Sequence, residues 1–175
     1  MRPLSLEEIN LALTKKKRPT QFFSYKDLPD DPAQLALLLL RHPARFLFHM
    51  ENKDSSVGHW TALVRRDRDI CWFSSYGFLP DGELMVSADL RKSPGQHINK
   101  ISRALHYLHD HGYTIHFCSV PLQLVGDGTE SCGIWCLYFL NSRLTDFEEL
   151  ERRLASITDP ELYAEKIYAN EFGGN

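Results

Sequence analysis

Apolar residues recur along this chain in two rhythms. Where they return every third or fourth position the spacing predicts helices, and where they alternate or run briefly between turn residues it predicts strands. Ser5-Leu-Glu-Glu8 forms a capping box ahead of Ile9 and Leu13, so a first helix starts there and ends in the basic run Lys15-Lys-Lys-Arg18. Asp31-Pro32 reads as the N-cap and first residue of a second helix, which stops before Pro43. It is apolar nearly all round, so burial is expected. Three apolar, β-branched or aromatic stretches, residues 44–50, 59–64 and 70–75, are separated by turn-rich and charged segments and predict adjacent antiparallel strands. Residues 77–95 read as a loop, and Ile98, Ile101, Leu105 and Leu108 then mark one face of an amphipathic helix closed by His111-Gly112.

A further strand is expected over residues 113–120, a polar loop over 126–131 and an apolar helix over Cys132–Asn141. Thr145-Asp-Phe-Glu148 caps another helix, and Asp159-Pro160 opens a last one running toward Tyr168, with Phe172-Gly-Gly-Asn175 as a flexible tail. The order is helices, a strand meander, a helix, a strand, then helices. It predicts one α+β domain over residues 1–175, with a mixed central β-sheet flanked by helices.

Composition narrows the class. With 43% apolar and 25% charged residues and a net charge of −3, the chain is neither disordered nor globally drawn to nucleic acid. It has no apolar run of membrane-spanning length, and its first residues lack the apolar core of a signal peptide. The expectation is an intracellular protein, in cytoplasm, nucleus or virion, without a membrane partner. Four cysteines, Cys71, Cys118, Cys132 and Cys136, are few for the length and suggest reduced thiols.

Cys132 opens its helix, where unpaired backbone N–H groups and the positive end of the macrodipole favour a thiolate. Gly133 next to it leaves room for a substrate carbonyl to approach the backbone, a substrate-binding role. A cysteine nucleophile needs an imidazole. Of the eight histidines, His97, His106, His109 and His111 sit on or beside one surface helix, His42 precedes a proline, and His49 and His116 fall within strands. His59 begins a strand after Ser55-Ser-Val-Gly58, with Trp60 beside it as a shield. Residue type and position alone leave His59 evenly balanced between a packed and a functional imidazole.

Gly58-His-Trp-Thr-Ala-Leu63, Trp72-Phe-Ser-Ser-Tyr-Gly77 and Thr129-Glu-Ser-Cys-Gly-Ile-Trp-Cys-Leu-Tyr-Phe-Leu140 together resemble the adenovirus-protease-like (adenain-like) cysteine peptidases, whose clan includes the ubiquitin-like-protein-specific proteases. Phe22-Phe-Ser-Tyr-Lys-Asp-Leu-Pro29 behind the first helix is similar to members in large DNA viruses and virus-like transposons. The resemblance implies the cysteine proteinase fold of that clan, Cys132 as nucleophile, His59 as general base and acid, and an oxyanion hole from the Cys132 N–H with an upstream glutamine, Gln123. It implies a viral or mobile-element maturation protease cutting after glycine-containing, Gly-Gly-like motifs, with Trp60 roofing a narrow substrate tunnel. No cofactor or metal is called for.

Two positions depart from that pattern. Ser74 stands where the family has an acid, so a Cys-His dyad supported by Ser74 is expected, and Ser74→Asp is expected to raise activity. Asp81 is the first candidate for a replacement acid. Glu83, like Asp67 and Asp69, lies away from the expected strand end. Gln123 stands nine residues before Cys132, further than usual. Cys136 reads as core, and Met50, Trp72, Tyr76 and Phe78 as core or cleft wall. Lys15–Arg18 reads as a solvated helix end before it reads as a nucleic-acid contact. Two rival functions stay open: a protease removing ubiquitin or a ubiquitin-like modifier, and a catalytically impaired binding module.

Overall fold

The computed structural model describes residues 2–51, 58–125, 130–142 and 146–172. Helix α1 (Leu6–Lys15) starts at the Ser5 capping box, both halves of which are formed. It leads to a four-residue strand, β1 (Gln21–Ser24), and a 3-10 turn (Tyr25–Asp27). Helix α2 (Pro32–Leu39) follows, N-capped by Asp31 as expected. The meander is β2 (Arg45–Glu51), β3 (Gly58–Arg66) and β4 (Asp69–Ser74). Two one-turn helices, α3 (Gly82–Val86) and α4 (Ala88–Lys92), occupy the stretch read from sequence as loop. Then come α5 (Lys100–Asp110), β5 (Thr114–Cys118), α6 (Cys132–Asn141), α7 (Phe147–Ala155) and α8 (Pro160–Phe172).

The sheet runs β1-β2-β3-β4-β5. Its centre is the antiparallel meander, while β1 on β2 and β5 on β4 are parallel. Alternation along the strands sends Leu47, Trp60, Ala62, Val64, Cys71 and Phe73 to one face, against α1, α6, α7 and α8. Phe46, Phe48, Met50, Leu63, Ile70 and Trp72 face the other way, against α2 and α5. This is an α+β domain with a mixed five-stranded sheet covered on both faces.

Two expectations need correction, and one strand was not foreseen. The second helix is not buried all round: Leu35, Ala36 and Leu39 are buried, but Leu37 faces water, because only one side of α2 meets the sheet and α5. Strand β1 lacked a sequence signal, since four residues pairing in parallel depend on a distant partner rather than on local pattern. The last helix continues through Phe172, whose ring packs on Tyr168 at 5.2 Å, so Phe172 belongs to the helix rather than to the expected tail. Thr145 and residues 173–175 lie outside the described residues. Asp146 caps α7, accepting from the N–H groups of Glu148 and Glu149. No helix among the described residues is long and apolar enough to cross a membrane.

Candidate active site

Strand β3 and helix α6 bring His59 and Cys132 to the wall of one cleft of about 420 Å³, shared with Gln123, Trp60, Phe22, His49 and Tyr76. Both are nearly enclosed, His59 at 5% exposure and Cys132 at 6%. Cys132 is the first residue of α6, and Ser131 before it provides no side-chain cap, so the first-turn amides are left to an anion. Burial nevertheless pushes the Cys132 thiol up to about 11; backbone N–H groups of Trp60, Gly133 and Cys132 itself pull the other way, and nearby Glu130 adds to the rise. The thiol therefore rests protonated.

Burial, then the neighbouring His49 imidazole, hold His59 below its ordinary value, so it rests as a neutral base. Its ring stacks on Tyr76, centroids 4.4 Å apart and planes 15° from parallel. What faces its Nε2 is Glu83, whose Oε1 lies 3.5 Å away. That is ion-pair distance rather than a hydrogen bond, and both His59 Nε2 and Glu83 Oε2 are buried without a hydrogen-bond partner. Glu83 itself is 1% exposed. Burial raises its carboxyl to about 7, partly offset by the hydrogen bond from Ser74 and then reinforced by the charge of Asp81.

Ser74 thus has a different place from the one expected. Its hydroxyl donates to Glu83 Oε1 at 2.5 Å and accepts the N–H of Tyr76 at 3.3 Å. It stands behind the carboxylate rather than in its stead. The imidazole nitrogen nearest the Glu83 carboxyl is Nε2. Asp81, the expected replacement, is turned away and bound to Tyr25 and Ser102. Sequence reasoning passed over Glu83 because it lies beyond the hairpin; the available signal was a carboxylate opening the apolar turn Leu84-Met85-Val86.

Gln123 lies on the same cleft as Cys132. It is 7% exposed, lines the cleft, and accepts from the Ser75 hydroxyl through Oε1, while its own N–H bonds to Ser75 O at 3.0 Å. The Ser75 hydroxyl thereby fixes the amide's orientation. Trp60 is flanked by His49 at 4.2 Å and Phe22 at 5.7 Å between ring centroids. Gly133 has a packing role that the sequence reading did not foresee: a Cβ there would stand 3.1 Å from Leu4 Cβ and 3.3 Å from Ile9 Cδ1. The absent side chain lets α1 and its leading residues approach α6.

Cys136, one turn along, is fully buried in the core. Lys16 in the basic run pairs with Glu171 of α8 at 2.5 Å. Among the described residues, no three metal-ligating side chains converge. The chain matches no protein-family model and no curated protein sequence.

Proposed function

We propose that the chain is a cysteine endopeptidase in which Cys132 attacks, His59 carries the proton and Glu83 orients His59. The observation that carries this reading is the buried Glu83 carboxyl group facing Nε2 of His59, which itself lines the same cleft as Cys132. A buried carboxylate left 3.5 Å from a buried imidazole is costly unless the pair has a use. The order and motifs of the sequence, which resemble the adenovirus-protease-like peptidases, support the same assignment.

In this mechanism His59 takes the thiol proton as Cys132 Sγ bonds to the substrate carbonyl carbon. The amide N–H of Cys132 and the side chain of Gln123 receive the developing oxyanion. His59 then protonates the departing amine, the C–N bond breaks, and water hydrolyses the thioester with His59 as base. Glu83 stabilises the imidazolium formed in between. Because thiol and imidazole both rest uncharged, proton transfer accompanies attack instead of preceding it. Trp60, with Phe22 and His49 beside it, gives the cleft an aromatic wall suited to glycine-containing substrate strands.

The test sets a glycine-motif peptide beside thiol-reactive probes built on ubiquitin-like modifiers. Cleavage of the peptide after glycine, lost in Cys132→Ala, is expected. Labelling by an intact modifier with no peptide turnover would instead make the protein a deconjugating enzyme, and reaction with neither would leave a binding module.

A further inference from the structure

Glu83 stands on a helix of a single turn, and such a helix does not fix its own position. The residue that starts it, Asp81, has φ +64° and ψ 7°, a left-handed conformation uncommon outside glycine and tolerated by Asp. Asp81 is 1% exposed, yet it makes no side-chain cap to its own helix. Its carboxylate turns instead to the rest of the protein. Oδ1 accepts from the Tyr25 hydroxyl at 2.6 Å; Oδ2 accepts from the Ser102 N–H at 2.7 Å and lies 2.5 Å from the Ser102 hydroxyl.

Ser102 is in the first turn of α5, whose own N-cap, Asn99, makes no side-chain cap. Asp81 therefore satisfies an orphan amide of α5 from a distant loop, with its charge at the favourable end of that helix. The anchor is itself held. The Tyr25 hydroxyl accepts the Lys100 N–H at 2.9 Å, and Lys100 Nζ donates to Leu28 O at 2.8 Å and pairs with Asp30 at 3.0 Å. On the other side, the Asp81 carbonyl accepts the Leu84 N–H at 3.1 Å, closing the turn that contains Glu83.

We propose that Asp81 is a positioning residue for the site: tied to Tyr25 and to the first turn of α5, it fixes Glu83 against His59. This rests on the Cys132–His59–Glu83 reading. Asp81 touches neither substrate nor the reacting atoms, and its effect passes wholly through Glu83. The groups facing Glu83 are His59 on β3, Ser74 on β4, Asp81 on its own turn and Cys136 on α6.

The test is a double-mutant cycle read by the His59-dependent rate of Cys132 alkylation with iodoacetamide. Asp81→Gly keeps the left-handed backbone but removes the carboxylate, and should slow that rate roughly tenfold or more, as misplacement of a catalytic group does. Asp81→Asn, which keeps one of the two acceptor oxygens, should recover part of the loss. In a Glu83→Gln background, Asp81→Gly should have no further effect. A purely architectural role predicts the reverse: the same fold-loss whether or not Glu83 is present. That result, or a parent-like rate in folded Asp81→Gly, overturns the proposal. Should Asp81→Gly fail to fold, Tyr25→Phe, which removes the hydroxyl bound to Asp81 Oδ1 and leaves the Ser102 contacts in place, is judged by the same criterion. If alkylation of the parent is itself indifferent to His59→Ala, the protease reading fails; if only the Asp81 criterion fails, the positioning inference falls alone.

Discussion

Ser74 carries a lesson at the scale of single residues. Read from the sequence it is a missing acid, and restoring one by Ser74→Asp should help. In the folded protein its hydroxyl is already a donor to Glu83. An aspartate there would place a second carboxylate against a buried one, and like charges in a low-dielectric site cannot both ionise. Ser74→Asp is therefore expected to lower peptide turnover by on the order of tenfold or more, whereas Ser74→Ala, which only removes a donor, should cost less. Turnover assays of the two folded variants decide it, and a faster Ser74→Asp enzyme would reinstate the missing-acid reading.

At this scale, legibility followed chain locality. Cys132 drew notice through its place at a helix start, while His59, at a strand start, stayed evenly balanced until the motifs around both were read together. Glu83 did not, because what brings it to His59 is the left-handed turn at Asp81 and that residue's bonds to Tyr25 and Ser102, which lie far away in sequence. Ser75, which holds Gln123, was hidden for the same reason.

Among elements, the long amphipathic helix α5 and the strand meander were readable because their period is strong and their partners are consecutive. Strand β1 and the one-turn helices α3 and α4 were not, being too short to carry a period. The close approach of α1 to α6 was equally silent. Leu4 and Ile9 meet the bare side of Gly133, and Leu4 and Ile9 are buried there. Gly133→Ala should accordingly destabilise the fold by about 1–3 kcal/mol through overpacking, measured by denaturant unfolding. If Gly133 serves only substrate approach, stability will be unchanged while turnover falls.

The whole molecule feels the buried carboxylate as well. Glu83 titrates at about 7 in the folded protein against 4.5 as an ordinary glutamate, so between those values the folded state holds the more protons. Stability contributed by protonated Glu83 is complete below 4.5 and is lost as pH rises through about 7. The loss is on the order of 3 kcal/mol at full effect. Glu83→Gln should therefore match the parent near pH 4.5 and exceed it in unfolding free energy above about 7. A difference that does not change across this window would mean that Glu83 is not held neutral by burial. A site residue whose removal stabilises the fold accords with selection for chemistry over stability.

The central claim is that His59 activates Cys132, and the most direct measurement is the pH dependence of Cys132 alkylation in the parent and in folded His59→Ala. With the imidazole present, alkylation is predicted to proceed at neutral pH; without it, the thiol should react only on the alkaline limb set by its burial, near 11. Two superposed profiles, both confined to that limb, would contradict the account and leave Cys132 an inert buried thiol.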